Sequence, residues 1–119
     1  MYSLNKDTDL SFLSRKKLLQ VCVGEFQIIL KFDSDILLSL ECVFEHVLKH
    51  GQVLQGDLSN PSSANSLLSL VGSFIIRVEN LGKGNLELAF ANGDTVRIYD
   101  SNNDAESYQI SSPRGMIIV

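Results

Sequence analysis

The chain has 119 residues, 45% hydrophobic and 20% charged, with 14 acids against 10 bases. That is enough apolar side chain for one core without disulfides or metal, and too much for a disordered chain. Acids and bases number 8 and 6 in residues 1–60 and 6 and 4 in residues 61–119, so no basic face is implied and nucleic acid is not the expected partner.

The first residues, M-Y-S-L-N-K-D-T-D, lack a charged segment followed by an apolar one, and no apolar run approaches the roughly 20 residues that span a bilayer. The expectation is a cytoplasmic protein without a membrane partner. Cys22 and Cys42 sit in apolar runs, V-C-V and E-C-V-F, as small buried hydrophobes rather than a disulfide framework.

Thr8 to Leu13 predicts a short helix capped by Thr8 or Asp9. Leu18 to Gly24 reads as a strand ended by glycine, and Phe26 to Phe32 as a second whose apolar centre suggests cover on both faces. Asp33-Ser34-Asp35 makes a turn, since Asp and Ser bond back to nearby amides. A third strand starts at Ile36 and runs on through Glu45. Gly56 to Ser63 reads as a loop.

A helix follows, capped by Ser62 or Ser63 and stopped by Gly72, with Ala64, Leu67, Leu68 and Val71 spaced 3, 1 and 3 apart as one buried face. Strands are then expected at Phe74–Glu79, Asn85–Ala91, Thr95–Tyr99, Ser107–Ile110 and Met116–Val119. Asn92-Gly93 is the strongest hairpin signal, with the composition of a type I′ turn.

L-K-F-D-S-D-I-L-L-S-L, Leu30 to Leu40, echoes L-A-F-A-N-G-D-T-V-R-I, Leu88 to Ile98: strand, Phe, tight acidic turn, strand. The expected architecture is one α+β domain over residues 1–119 with an internal pseudo-repeat, about 9–50 and 63–119. Two consecutive meanders of antiparallel strands form a sandwich or curved sheet, with one clear helix and one short N-terminal helix.

Glu41 to His50, E-C-V-F-E-H-V-L-K-H, is the one stretch with metal-ligand residue types. Cys42, His46 and His50 would share a helical face, but on a strand the same run puts Cys42 inside and the histidines near an exposed end, so no metal site is assigned. No G-x-S-x-G occurs, and Gly82-Lys83-Gly84 lacks the phosphate-loop spacing and suits a turn. Asp33 and Asp35, and Asp100, Asp104 and Glu106, lie in turns, where solvent keeps a carboxyl at its ordinary strength. No catalytic residue and no cofactor follow. Asp100 to Glu106, D-S-N-N-D-A-E, holds three acids and no base, and reads either as a solvated loop or as an electrostatic face for a basic partner.

L-E-L-A-F-A-N-G-D-T-V-R-I, A-E-S-Y-Q-I and S-P-R-G-M-I-I-V resemble a family of small uncharacterised bacterial domains, through Leu88, Phe90 and Gly93, through Glu106, Ser107 and Tyr108, through Pro113 and Gly115, and through Ile117 to Val119. The N-terminal half fits more loosely, through V-C-V-G-E-F-Q-I-I-L-K-F. Such domains are similar to immunity proteins of bacterial toxin systems, including contact-dependent growth inhibition. The resemblance implies a non-enzymatic protein that binds and neutralises a cognate toxin with a basic surface. It carries over no residue role; for that reading the acidic run makes Asp100, Asp104, Glu106 and Tyr108 the expected interface. The competing expectation is an accessory β-sheet domain that binds a ligand or forms homo-oligomers through its edge strands.

Overall fold

The computed structural model describes residues 4, 5, 7–101 and 106–119. Strands β1 (Leu18–Val23), β2 (Ile28–Phe32) and β3 (Ile36–Leu40) make one antiparallel meander, and β4 (Phe44–Val47) and β5 (Val53–Gly56) a hairpin. After a 3-10 helix at Pro61–Leu70, strands β6 (Ile75–Gly82), β7 (Asn85–Phe90) and β8 (Thr95–Ile98) make a second meander, and β9 (Tyr108–Ser112) and β10 (Gly115–Ile118) a second hairpin. Each hairpin leaves the meander that precedes it. The first sheet is ordered β1-β2-β3-β9-β10 and the second β5-β4-β8-β7-β6. Each half of the chain therefore gives three strands to one sheet and two to the other. One apolar cluster joins the inner faces of both sheets to Leu13 and to Ala64, Leu67 and Leu70 of the 3-10 helix.

The expected single strand from Ile36 to Glu45 is split between the sheets. Ile36, Leu38, Leu40, Cys42, Phe44 and His46 are all buried, so the alternation runs unbroken through a bend at Cys42. The extended chain keeps one face in the core while it changes layers, as corner strands of sandwiches do. Strand β2 is covered on one face rather than two: Ile28, Leu30 and Phe32 are buried, while Ile29 and Lys31 are half-exposed. Strand β5 was not expected. Its Gly56 lies directly over the Phe44 ring, where any Cβ would collide, so glycine permits the close approach.

The expected helical face is also corrected. The segment coils as a 3-10 helix opened by Pro61, with three residues per turn, so Ala64, Leu67 and Leu70 face the core while Leu68 and Val71 face outward. Gly72 does end it, at φ +93°. The N-terminal helix shrinks to one 3-10 turn, Ser11–Leu13, tightened by Asp9 Oδ1, which accepts from the Ser11 amide at 3.0 Å and hydroxyl at 2.6 Å.

Asn92-Gly93 is not a type I′ turn. Gly93 has φ +98° and its amide donates to the Phe90 carbonyl at 3.0 Å, while Asn92 keeps negative φ. That is a three-residue loop with a left-handed glycine. The I′ signature falls on Lys83 and Gly84 instead, with φ +59° and +82° between the paired Gly82 and Asn85.

Candidate functional site

The chain passes between the sheets at Glu41–Val43 and again between β8 and β9, and the described residues of the two passages are hydrogen-bonded to one another. The Glu41 amide donates to the Ser107 carbonyl at 2.8 Å, the Val43 amide to Ser101 Oγ at 3.0 Å, and the Tyr99 amide to the Val43 carbonyl at 3.1 Å. Of the expected interface residues, Asp100 and Glu106 flank this crossover and are half-exposed. Asp104 lies outside the described residues. The structure adds Glu41, whose backbone is hydrogen-bonded beside Glu106. Its proximity is a product of sheet exchange and leaves no local mark in the sequence.

Asp100 is held from two sides. The Asp100 amide donates to Asn85 Oδ1 at 2.9 Å, and Asp100 Oδ1 accepts from the Ser107 hydroxyl at 2.6 Å. Cys42, next to Glu41, is buried. Burial pushes its thiol up to about 12, with the negative charges of Asp100 and Glu41 adding to the rise.

Tyr108 does not belong to this surface. It alternates with Ile110 on the inner face of β9, is fully buried, and donates its hydroxyl to the Gly84 carbonyl at 2.8 Å. Burial raises its phenol pKa, and the charge of Asp100 adds to the effect. An inward tyrosine needs a partner for its hydroxyl, and the β6–β7 turn supplies one.

The histidines of the Glu41–His50 stretch separate. His50 is exposed on the β4–β5 turn, whereas His46 is completely buried on β4, contrary to its expected place near an exposed end. Both its ring nitrogens are engaged: Nε2 lies 2.8 Å from Asp94 Oδ2 and Nδ1 lies 2.8 Å from Ser66 Oγ. An ionised carboxylate only accepts, so Nε2 donates to Asp94, and in the neutral ring Nδ1 then accepts from the serine hydroxyl.

Asp94 also takes the Lys49 amide on Oδ1 at 3.0 Å. Burial alone would raise the Asp94 pKa, but the His46 and Lys49 hydrogen bonds outweigh it and hold the carboxyl below its ordinary value. Ser66 on the 3-10 helix, His46 on β4 and Asp94 after the β7–β8 loop thus form one polar chain across three elements. Chemically it can draw a proton from Ser66 Oγ toward His46. It also satisfies a buried imidazole. The inward parity of His46 with Phe44 was the available sequence signal.

The outer face of the second sheet carries a ladder of charge. Arg97 Nε donates to Glu87 Oε1 at 2.9 Å, Arg77 reaches Glu79 at 2.6 Å and Glu87 at 3.3 Å, and the Tyr99 hydroxyl donates to Glu45 at 2.6 Å. The Glu87 bond raises the Arg97 pKa. These groups satisfy one another across neighbouring strands.

The fold is a small β-rich module of two five-stranded antiparallel sheets, and no described helix is long and apolar enough to cross a membrane. A model for a family of unknown function, DUF6188, matches residues 12–119, and the chain belongs to that family. No curated protein and no solved structure matches the chain.

Proposed function

We propose that the chain is a non-enzymatic immunity protein that binds a cognate bacterial toxin in the cytoplasm and neutralises it by covering its working surface. The observation that carries this reading is the acidic crossover. The Glu41 backbone is hydrogen-bonded to Ser107, next to Glu106, and Asp100 is anchored to Asn85 and Ser107. A pre-anchored acidic surface loses little freedom on binding and speeds encounter with a basic partner.

The test is growth rescue. The chain is co-expressed with the toxin fragment encoded beside it, and survivors are counted for the native chain and for Glu41→Lys/Asp100→Lys/Glu106→Lys. Rescue by the native chain and its loss in the folded triple variant support the reading. Failure of the native chain to rescue, with both proteins folded, overturns it.

A second reading rests on the Ser66–His46–Asp94 chain, which has the connectivity of an activated serine. In it, Ser66 Oγ attacks an ester carbonyl, its proton passes to His46 Nδ1 and then to the departing alcohol, and water releases the acyl group. A fluorophosphonate probe decides this. Labelling that Ser66→Ala and His46→Gln both abolish favours the serine, and absence of labelling leaves the chain as a structural clasp.

A further inference from the structure

We propose that the seam joining the two sheets, residues 15–19 against residues 71–76 with the outward side of the 3-10 helix, is a docking surface for an amphipathic protein segment whose apolar side chains are flanked by carboxylates. It is separate from the acidic crossover and stands or falls independently of it.

The geometry begins with the backbone. The Leu18 amide donates to the Ser73 carbonyl at 3.0 Å, the Gly72 amide to the Leu18 carbonyl at 2.8 Å, the Ile75 amide to the Lys16 carbonyl at 2.9 Å and the Arg15 amide to the Ile75 carbonyl at 2.6 Å. Lys17 and Phe74 form the bridge between these strands. Alternation then sorts the side chains. Leu18 and Ile75 point inward and are fully buried. Lys17 and Phe74 point outward together, with the ammonium 5.6 Å from the ring centroid. Leu19 and Ile76 follow where the pairing registers of β1 and β6 shift, and both are exposed, as is Arg15, which turns the chain at φ +69°.

Three residues per turn then add Leu68 and Val71, stacked on one side of the helix. The Gly72–Leu18 bond sets Val71 against the same strand. The result is five large apolar side chains in open solvent: Leu19 51%, Leu68 55%, Val71 44%, Phe74 44% and Ile76 61% exposed. Scattered exposed apolar residues need no explanation, whereas neighbours gathered on one face mark interaction sites.

Charge selects the occupant. The protein is acidic overall, with net charge -4, yet residues 15–24 and 58–76 contain no carboxylate and the first of them holds Arg15, Lys16 and Lys17. Asp33, which reaches this region, is bonded at 3.3 Å to the Lys17 amide. A partner with apolar side chains and flanking acids complements both properties. Three bases on a net-acidic chain are a poor match for an anionic bilayer, where stable binding takes more positive charge.

The test uses the full chain, amide NMR shifts and a synthetic helical peptide of Leu and Glu with Leu at positions i, i+3, i+4 and i+7. Shifts should gather at residues 15–19 and 66–76. Replacing Glu by Lys in the peptide should weaken binding at least tenfold. Leu68→Ser/Ile76→Ser should abolish binding while leaving the melting curve intact, and Arg15→Glu/Lys17→Glu should weaken it. The proposal is overturned if no binding occurs, if the Lys peptide binds equally, if shifts map elsewhere, if phosphatidylserine vesicles bind the seam and the peptide does not, or if the same amides shift with protein concentration alone, which would assign the face to a second copy.

Discussion

His46 Nε2 and Asp94 Oδ2 lie 2.8 Å apart inside the second sheet, and the carboxylate that receives the imidazole also receives the Lys49 amide. The pair ties β4 to the β7–β8 loop, and through Ser66 it ties both to the 3-10 helix. Replacing His46 by Ala leaves a buried carboxylate with one partner removed, which costs about 2–4 kcal/mol. Urea unfolding should show this loss. Asp94→Asn, which keeps a hydrogen-bonding group, should cost less.

The same pair predicts an acid dependence. The folded pKa of Asp94 is depressed, so its contribution to stability is complete above the unfolded value of about 3.9 and is lost as pH falls through the lower folded value. Melting temperature in the native chain should therefore drop more between pH 4 and pH 2 than in Asp94→Asn. Equal drops in the two would show that the carboxylate gains nothing from its partners.

Leu67→Ala and Leu68→Ala discriminate the two possible helical periods. Leu67 is fully buried and its truncation should cost about 2–4 kcal/mol. Leu68 is exposed, and its truncation should stay within about 0.5 kcal/mol. Comparable losses would restore the four-residue spacing.

Tyr108→Phe separates core from interface. It removes the hydroxyl that donates to the Gly84 carbonyl and should cost roughly 1 kcal/mol in stability. Under the proposed function, affinity for the toxin measured by calorimetry should not change. Gly84→Ala should act on both quantities: the residue sits at φ +82°, and a Cβ there would lie 2.7 Å from Asp100 Oδ2. Gly82→Ala, equally left-handed but with open space around it, bears only the backbone cost.

The two thiols should differ sharply. Cys42 is buried and its thiol is held up to about 12, whereas Cys22 is half-exposed. A disulfide reagent at pH 8 should modify Cys22 first and reach Cys42 on unfolding. Because the unfolded thiol ionises near 8.5 and the folded one does not, Cys42 also draws stability away as pH rises above that value.

Much of the strand content was legible because half-covered strands alternate. Val96 and Ile98 against Thr95 and Arg97 display the second sheet plainly. The same regularity concealed the architecture: alternation continues from Ile36 to His46 without marking the bend at Cys42, so one strand was expected where two sheets share a chain. The helix was misread because 64, 67, 68, 71 fits 3.6 residues per turn and 64, 67, 70 fits 3.0, and sequence spacing does not choose between them. Tyr108 could have been placed by its parity with Ile110. The His46–Asp94 contact and the arrival of Glu41 beside Glu106 could not, since both depend on pairings between distant strands.

The exchange of hairpins has a consequence for the order in which the molecule assembles. During synthesis, residues 1–56 leave the ribosome with one edge of β3 and one edge of β4 open, because their partners β9 and β8 have not been made. Neither half can close a sheet by itself, so folding waits for the C-terminal strands and proceeds through long-range pairings, which are slow. Two separately produced fragments, 1–58 and 59–119, should remain unfolded alone and form the native sandwich when mixed. At high concentration two nascent chains can satisfy each other's open edges, giving a dimer in which each chain lends its hairpin to the other.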